Sequence, residues 1–148
     1  MEKNRYNLEE VMPRLSLLSQ VLEELDIENE LIVSLEREPE ILAVLEERRV
    51  RIQAEMTEGH KALMVMRCEI ELPETGVGNM ELMCQRFNQR SLFGTAVWEP
   101  IKNQMIFRSI VLEPDLEPEE AYFKFVLELF SESLGMFEES LRRTEAEG

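Results

Sequence analysis

The stretch that decides the fold is PEEAYFKFVLELFSESLGMFEESLRR, at residues 118–143. Apolar side chains recur in it at intervals of four and three residues, which places them on one side of an α-helix. Pro118 suits the first helical turn, where its missing N–H does no harm, and Arg142 and Arg143 complement the negative end of the helix dipole. The stripe consists of Phe123, Leu127, Phe130, Leu134, Phe137 and Leu141. We predict one long helix over Pro118–Arg143, packed on the chain's own sheet or, alternatively, on a partner.

The composition indicates one soluble domain that binds neither nucleic acid nor a membrane. A chain of 148 residues, 44% of them apolar, can bury a single core without a metal or a disulfide. Its 16 basic and 31 acidic residues give a net charge of −15, whereas phosphate binding needs clustered basic side chains. The largest basic cluster along the sequence is Arg48, Arg49 and Arg51. No apolar run has the length of a membrane span or the form of a secretory leader, so we expect a cytoplasmic protein.

The sequence offers little for catalysis or metal binding. His60 is the only histidine, and we interpret it as a solvated residue of a turn, so we expect no histidine-based triad or metal cluster within one chain. Cys68 and Cys84 lack metal-type spacing, so we interpret them as buried thiols. The loop Thr75–Asn79 lacks the lysine of a phosphate-binding loop. We expect no catalytic residue, metal or cofactor, and a protein that is not an enzyme.

The chain begins with a predicted helix that contains a proline. Asn7 can cap it, and apolar residues at helical spacing continue to Leu25. Pro13 either kinks this helix or marks its start, because the proline ring clashes with the carbonyl four residues before it. In the second case residues 1–12 form a loose arm.

Two or three strands follow. The segment Asp26–Arg49 fits either a helix or a strand, and we favour a strand for its last part, Ile41–Glu47. Apolar and polar residues then alternate over Val50–Met56, and a longer strand is predicted over Ala62–Leu72. The turn between these two strands is predicted at Thr57–His60.

The second half of the chain predicts a short helix and a hairpin before the long helix. Asn79 is suited to cap a helix that ends near Asn88. The hairpin strands are Phe93–Glu99 and Gln104–Leu112, joined at Pro100–Asn103 because proline cannot donate to a sheet ladder.

The order of elements is therefore helix, two or three strands, helix, two strands, helix. This order predicts the α+β class: one domain over residues 1–148, built on an antiparallel sheet of about five strands flanked by helices. We expect the last helix to cross one face of the sheet, and the first helix to lie at its side or on its other face.

The second half also resembles a known superfamily. The resemblance rests on Phe87-Asn88 at a helix end, on the segments Phe93–Trp98, Met105–Ser109 and Leu116–Ala121, and on the long closing helix. It is to the superfamily that joins class I type III secretion chaperones, of the Tir-chaperone type, with the YbjN-like bacterial proteins. The chaperones are small acidic cytoplasmic homodimers that hold an unfolded stretch of a secreted effector. The resemblance therefore implies a non-catalytic, chaperone-like protein that binds a segment of a partner protein.

The alternative function is that of a YbjN-like regulatory or adaptor protein, which would bind a folded signalling partner. A small-molecule enzyme is the third class, and a deep polar pocket with a metabolite would identify it. Methionine packs adaptably against varied apolar partners, although core filling is the other interpretation of such residues. The candidate partner-binding residues are Leu15, Leu18, Leu22, Met64 and Met66.

The resemblance also implies a homodimer. In the chaperones the helix equivalent to Asn79–Asn88 and the neighbouring strand make the two-fold contact. The corresponding candidates for the dimer interface are Met80, Met83, Phe87 and Trp98.

Overall fold

Alternating apolar residues generate an antiparallel sheet of six strands in the computed structural model. The structure describes residues 2–34, 36–56, 62–70, 79–91, 93–102, 104–112 and 120–147. The helices are α1 (Glu2–Glu24), α2 (Met80–Arg90) and α3 (Glu120–Glu147). The strands are β1 (Asn29–Ile32), β2 (Glu40–Leu45), β3 (Arg48–Met56), β4 (Ala62–Ile70), β5 (Thr95–Glu99) and β6 (Gln104–Leu112). The strand order is β1-β2-β3-β4-β6-β5, which confirms the α+β class with one strand more than expected.

Helix α1 passes through Pro13 and begins before Asn7. The prediction that Asn7 caps the helix is therefore wrong, and residues 2–12 continue the helix instead of forming a loose arm. Pro13 and Glu9 are both exposed. The carbonyl that loses its helical partner to the proline therefore lies on the solvent side, where water can hydrate it.

The end of α1 explains why the ambiguous segment forms strands. Asp26 has a left-handed φ of 58°, its N–H donates to the Glu23 carbonyl, and the N–H of Ile27 donates to the Leu22 carbonyl. This is the Schellman pattern, which ends a helix and usually employs glycine at the left-handed position. The chain can then reverse direction and enter β1 and β2. The strand favoured near Ile41 is confirmed as β2.

All three helices cover the same face of the sheet. The buried residues of α1 belong to one apolar cluster with those of α3 and of the strands, and α1 contacts β1, β3 and α3. The expectation that the first helix lies at the side or on the other face is thus corrected. The covered face carries Ile41, Ala43, Leu45, Val50, Ile52, Ala54, Met64, Met66, Cys68, Ile70, Ala96, Met105 and Phe107. The opposite face of the sheet has no helix packed on it among the described residues.

In the second half of the chain the structure agrees closely with the elements predicted from the sequence. Asn79 caps α2 by accepting a hydrogen bond from the Leu82 N–H at 3.0 Å, as predicted, and the helix continues to Arg90. The hairpin of β5 and β6 and the long helix are confirmed. Pro118, the turn at Thr57–His60 and the loop before Asn79 lie outside the described residues.

None of the described helical segments is both long and apolar enough to cross a membrane.

The β2–β3 connection is a two-residue turn with an unfavourable sequence. Leu45 pairs with Arg48, and the two residues between them have φ angles of 48° at Glu46 and 71° at Glu47. Two successive left-handed residues in a two-residue hairpin loop define a type I′ turn, which favours Asn-Gly. A side chain with a branched or long stem is strained in this conformation.

We expect the double substitution Glu46→Asn and Glu47→Gly to raise the free energy of unfolding by about 1–2 kcal/mol, because it removes left-handed strain at both positions. The ion pair that Glu46 forms with Arg48 at 3.4 Å is exposed, so its loss should matter little. Urea unfolding followed by circular dichroism measures the change.

The matched control carries Glu23→Gln and Glu128→Gln, two exposed helical positions, and therefore changes the net charge equally. An equal gain in the control would show that reduced charge repulsion, and not the turn, is responsible.

Candidate protein-binding groove

Four phenylalanine rings join α2 and α3 to the sheet. Phe107 of β6 lies at the centre, with ring centroids 5.3 Å from Phe130, 6.0 Å from Phe137 and 6.0 Å from Phe87. Phe87 of α2 and Phe137 of α3 are 4.8 Å apart in an edge-to-face arrangement. Such aromatic pairs add to the stabilisation from burial. The cluster fixes the distance between α2 and α3.

The loop between α2 and β5 is held against this cluster. Gly94 has a φ of 88°, and a Cβ at this position would overlap the ring of Phe107. The carbonyl of Phe93 accepts hydrogen bonds from the hydroxyls of Ser91 and Ser133. Because Ser133 belongs to α3, these bonds tie the loop to the long helix.

Asn88 fastens the end of α2 to the edge strand β5. Its Nδ2 donates to the carbonyl of Ala96 at 3.0 Å, and its Oδ1 accepts from the N–H of Ala96 at 2.8 Å. The side-chain amide thus satisfies both backbone groups of one edge residue, as a neighbouring strand would. The sequence marked this asparagine through the resemblance, and the structure shows its physical role.

A groove of about 490 Å³ lies between the end of α2, the following loop and α3. Its wall contains Phe87, Phe93, Leu129, Ser133 and Met136. Charged residues of both signs, Arg90, Glu132, Glu139 and Arg143, border it, and Arg143 pairs with Glu139 at 2.8 Å. An apolar wall with a mixed charged border is the usual composition of a protein-binding surface.

Helix α3 presents a second apolar stripe that the core does not use. Phe125 and Met136 are 58% and 61% exposed, and Leu129 is half-buried. At 100° per residue the three side chains point in nearly the same direction, and the stripe extends over roughly 16 Å of helix. Sequence analysis missed Phe125 and Met136 because they fall outside the main stripe. Large apolar residues outside a complete core stripe were the available signal.

The five candidate partner-binding residues lie in the core instead. Leu15, Leu18, Leu22, Met64 and Met66 are at most 2% exposed. The three leucines form the face of α1 that packs on the sheet, and the two methionines lie beneath the helices on β4. They cannot contact a partner while the helices cover the sheet, so core filling is the correct interpretation for them.

The four candidates for the dimer interface lie near one another, but they already pack against the protein's own core. Met83 is buried, and Met80, Phe87 and Trp98 are half-buried and packed against the core. The side of α2 that faces solvent instead exposes Leu82, which is 40% exposed. The homodimer stays a prediction.

Neither cysteine is suited to act as a nucleophile. Both are buried and unpaired. Burial, together with the carboxylate of Glu138, raises the pKa of the Cys68 thiol to about 11 despite the opposing charge of Arg48. Burial also raises the pKa of Cys84. Both thiols are therefore protonated at neutral pH, and a protonated thiol reacts poorly. Among the described residues, no group of three or more potential metal-binding side chains comes together.

Comparison with known proteins identifies the fold. No protein-family model and no curated protein matches the chain. Among solved structures it is similar to YbjN from E. coli, described as "a putative transcription regulator", with a TM-score of 0.61 and 12% sequence identity over 90% of this chain and 93% of that chain. At this identity the similarity shows the fold alone. The fold is YbjN-like, and this supports the YbjN side of the resemblance but not membership of the type III chaperone class.

We expect Asn88→Ala to lower the free energy of unfolding by about 1–3 kcal/mol, because both backbone groups of Ala96 lose their partner in a half-buried position. Gln89→Ala, at the exposed neighbouring position, should change it by no more than about 0.5 kcal/mol. Urea unfolding of both variants tests this. Equal effects would mean that the Asn88 bonds contribute nothing beyond helix propensity.

Proposed function

We propose that this chain is a non-catalytic regulatory or adaptor protein that binds a partner protein through the α2–α3 groove. The observation that carries the proposal is the second apolar stripe of α3, Phe125, Leu129 and Met136, of which the last two line the groove. Exposed apolar side chains that line a concave surface are typical of binding sites. The best-fitting occupant is an amphipathic segment of a partner, which would set its apolar residues against this stripe.

The YbjN-like fold favours the regulatory or adaptor role over the chaperone role. The similar structure carries a regulatory description, and the candidate partner-binding residues on α1 and β4 are buried and so offer no surface to an unfolded client. A chaperone that holds an unfolded segment in the same groove is the second candidate. The two functions differ in whether the bound partner is folded.

The homodimer is a further part of the proposal. Helix α2 packs one side against the aromatic cluster and turns Leu82 outward. In a two-fold interface each exposed apolar residue occurs twice, so a small patch can support association. The net charge of −15 opposes such association unless the charges stay at its border.

We expect Met136→Glu to weaken partner binding by about tenfold or more, because a carboxylate would have to be desolvated against apolar groups in the groove. The measurement is affinity capture from the native host with quantitative mass spectrometry, followed by titration of the purified partner. Met136 is exposed in the free protein, so the variant should keep its thermal stability.

The matched control is Ile101→Glu, which adds the same charge at a fully exposed apolar residue of the β5–β6 turn. The groove is supported if the native protein and Ile101→Glu capture a partner protein that Met136→Glu does not capture. Identical capture by all three proteins contradicts it. A partner that binds only after denaturation would favour the chaperone, and a natively folded partner would favour the adaptor.

We expect the purified protein to be a dimer at tens of micromolar and Leu82→Glu to be a folded monomer, because a charge at a two-fold contact is introduced twice. Light scattering measures the mass, and circular dichroism verifies folding. Phe87→Glu is less suitable, since Phe87 packs against Phe137 and Phe107 and its replacement would also disturb the core. A native protein that is monomeric at this concentration disproves the dimer.

A further inference from the structure

The open face of the sheet carries a row of arginines that is not visible in the sequence. Arg51 of β3 is the cross-strand partner of Arg67 on β4, and Arg67 is the partner of Arg108 on β6. All three side chains are exposed. Because neighbouring strands lie about 4.8 Å apart, the three guanidinium stems leave the sheet within roughly 10 Å. Arg49 extends the patch on the same face of β3, where it is also exposed.

This row is unfavourable in the isolated protein. Like charges directly opposite each other on neighbouring strands repel and destabilise the sheet. Alternating arginine and glutamate at the same positions would hydrate the face equally well and would stabilise it. The chain has 31 acidic residues and 16 basic ones, so it does not lack glutamates for such pairing. The arrangement is therefore accounted for more readily by a ligand than by stability.

The arginines are largely unneutralised within the chain. Glu40, Glu55, Glu69 and Glu99 of the open face lie outside the row. Glu30 of β1 lies at its far end, separated from Arg51 by Leu42 of β2. Glu40 is 3.7 Å from Arg51. Among the described residues, no other ion pair is formed by an arginine of this face. Arg67 and Arg108 in particular keep their guanidinium groups available to an outside anion.

The surroundings of the row identify the kind of anion. Apolar side chains flank it on both sides: the cross-strand pair of Val65 and Ile110 lies on one side, and the pair of Ile106 and Val97 lies on the other. Ile110 is largely exposed and Ile106 and Val97 are half-buried, whereas Val65 is buried and only supports Ile110. A protein segment that mixes carboxylates with apolar residues matches this pattern, since each guanidinium can bind a carboxylate through two hydrogen bonds.

Nucleic acid matches the face less well. No described residue on this face is aromatic, so bases would have no ring to stack on. The net charge of −15 also repels a polyphosphate backbone at long range. A short acidic segment experiences less of this repulsion and gains from the apolar flanks.

We infer that the row Arg51, Arg67 and Arg108 is a docking surface for an acidic, partly apolar segment of a partner protein. The inference rests on the proposed function for the class of partner. It does not depend on the groove, which lies on the helix-covered side of the molecule.

The probe is a labelled peptide of alternating glutamate and leucine, titrated by fluorescence anisotropy at 50 mM salt. We expect Arg67→Ala to weaken binding about tenfold, by loss of a charged hydrogen-bonded contact, and Arg67→Glu to abolish it. Binding should weaken as salt rises. The melting temperature of Arg67→Ala should stay equal or rise, because like-charge repulsion is relieved; a merely structural arginine would show a fall. Arg108→Ala provides a second variant with the same expected losses.

The matched control is Arg142→Glu, an exposed arginine on α3, which changes the net charge as Arg67→Glu does. The inference is overturned if the control weakens binding as much as Arg67→Glu, if the peptide does not bind, or if an oligodeoxythymidine binds more tightly than the peptide. If the peptide fails while the Met136-dependent partner is still captured, only this inference is lost. If the peptide binds while no such partner is found, the groove proposal fails instead.

Discussion

The structure depends on the packing of Phe107 against its three neighbouring rings and Gly94. The ring is fully buried between the sheet and two helices, and truncating a buried phenylalanine typically costs about 3–5 kcal/mol. A glycine is required at position 94 because the ring occupies the space of a Cβ. The bonds from Ser133 and Asn88 then fix the loop and the edge strand relative to the same centre.

One consequence of this centre is the groove. The rings hold α2 and α3 close at the core, and Phe93, Leu129 and Met136 line a concave wall beside them. The apolar residues of α3 thus serve two surfaces. The main stripe stabilises the fold, and the smaller stripe remains accessible to a partner. A surface that is held in place by a packed core loses less entropy on binding than a flexible one, which suits the binding role that we propose for the smaller stripe.

A second consequence is the contrast between the two faces of the sheet. Because the described helices all pack on one face, the other face carries the exposed charged side chains of the central strands together with a few apolar ones. Strand alternation separates even adjacent arginines: Arg48 points to the helices, where its Nε lies 2.5 Å from the Glu138 carboxylate, whereas Arg49 and Arg51 belong to the open face. A chain that is strongly acidic overall thereby presents a local basic row. Net charge predicts average behaviour and says little about such a patch.

Local patterns determined the elements of this protein. The stripe of α3, the alternation in β3, the cap at Asn79 and the break at Pro100 depend on neighbours within a few residues, so the α+β class, the hairpin and the helices could be predicted. The helix end at Asp26 and the turn at Glu46-Glu47 were not predicted, because the left-handed residues at these positions are not glycines. Only the tertiary structure decided which apolar residues are core, which face α1 covers, and that Arg51, Arg67 and Arg108 are neighbours. These features depend on strand register and helix placement, which are set by contacts between residues far apart in the chain and therefore leave no periodic signal in the sequence.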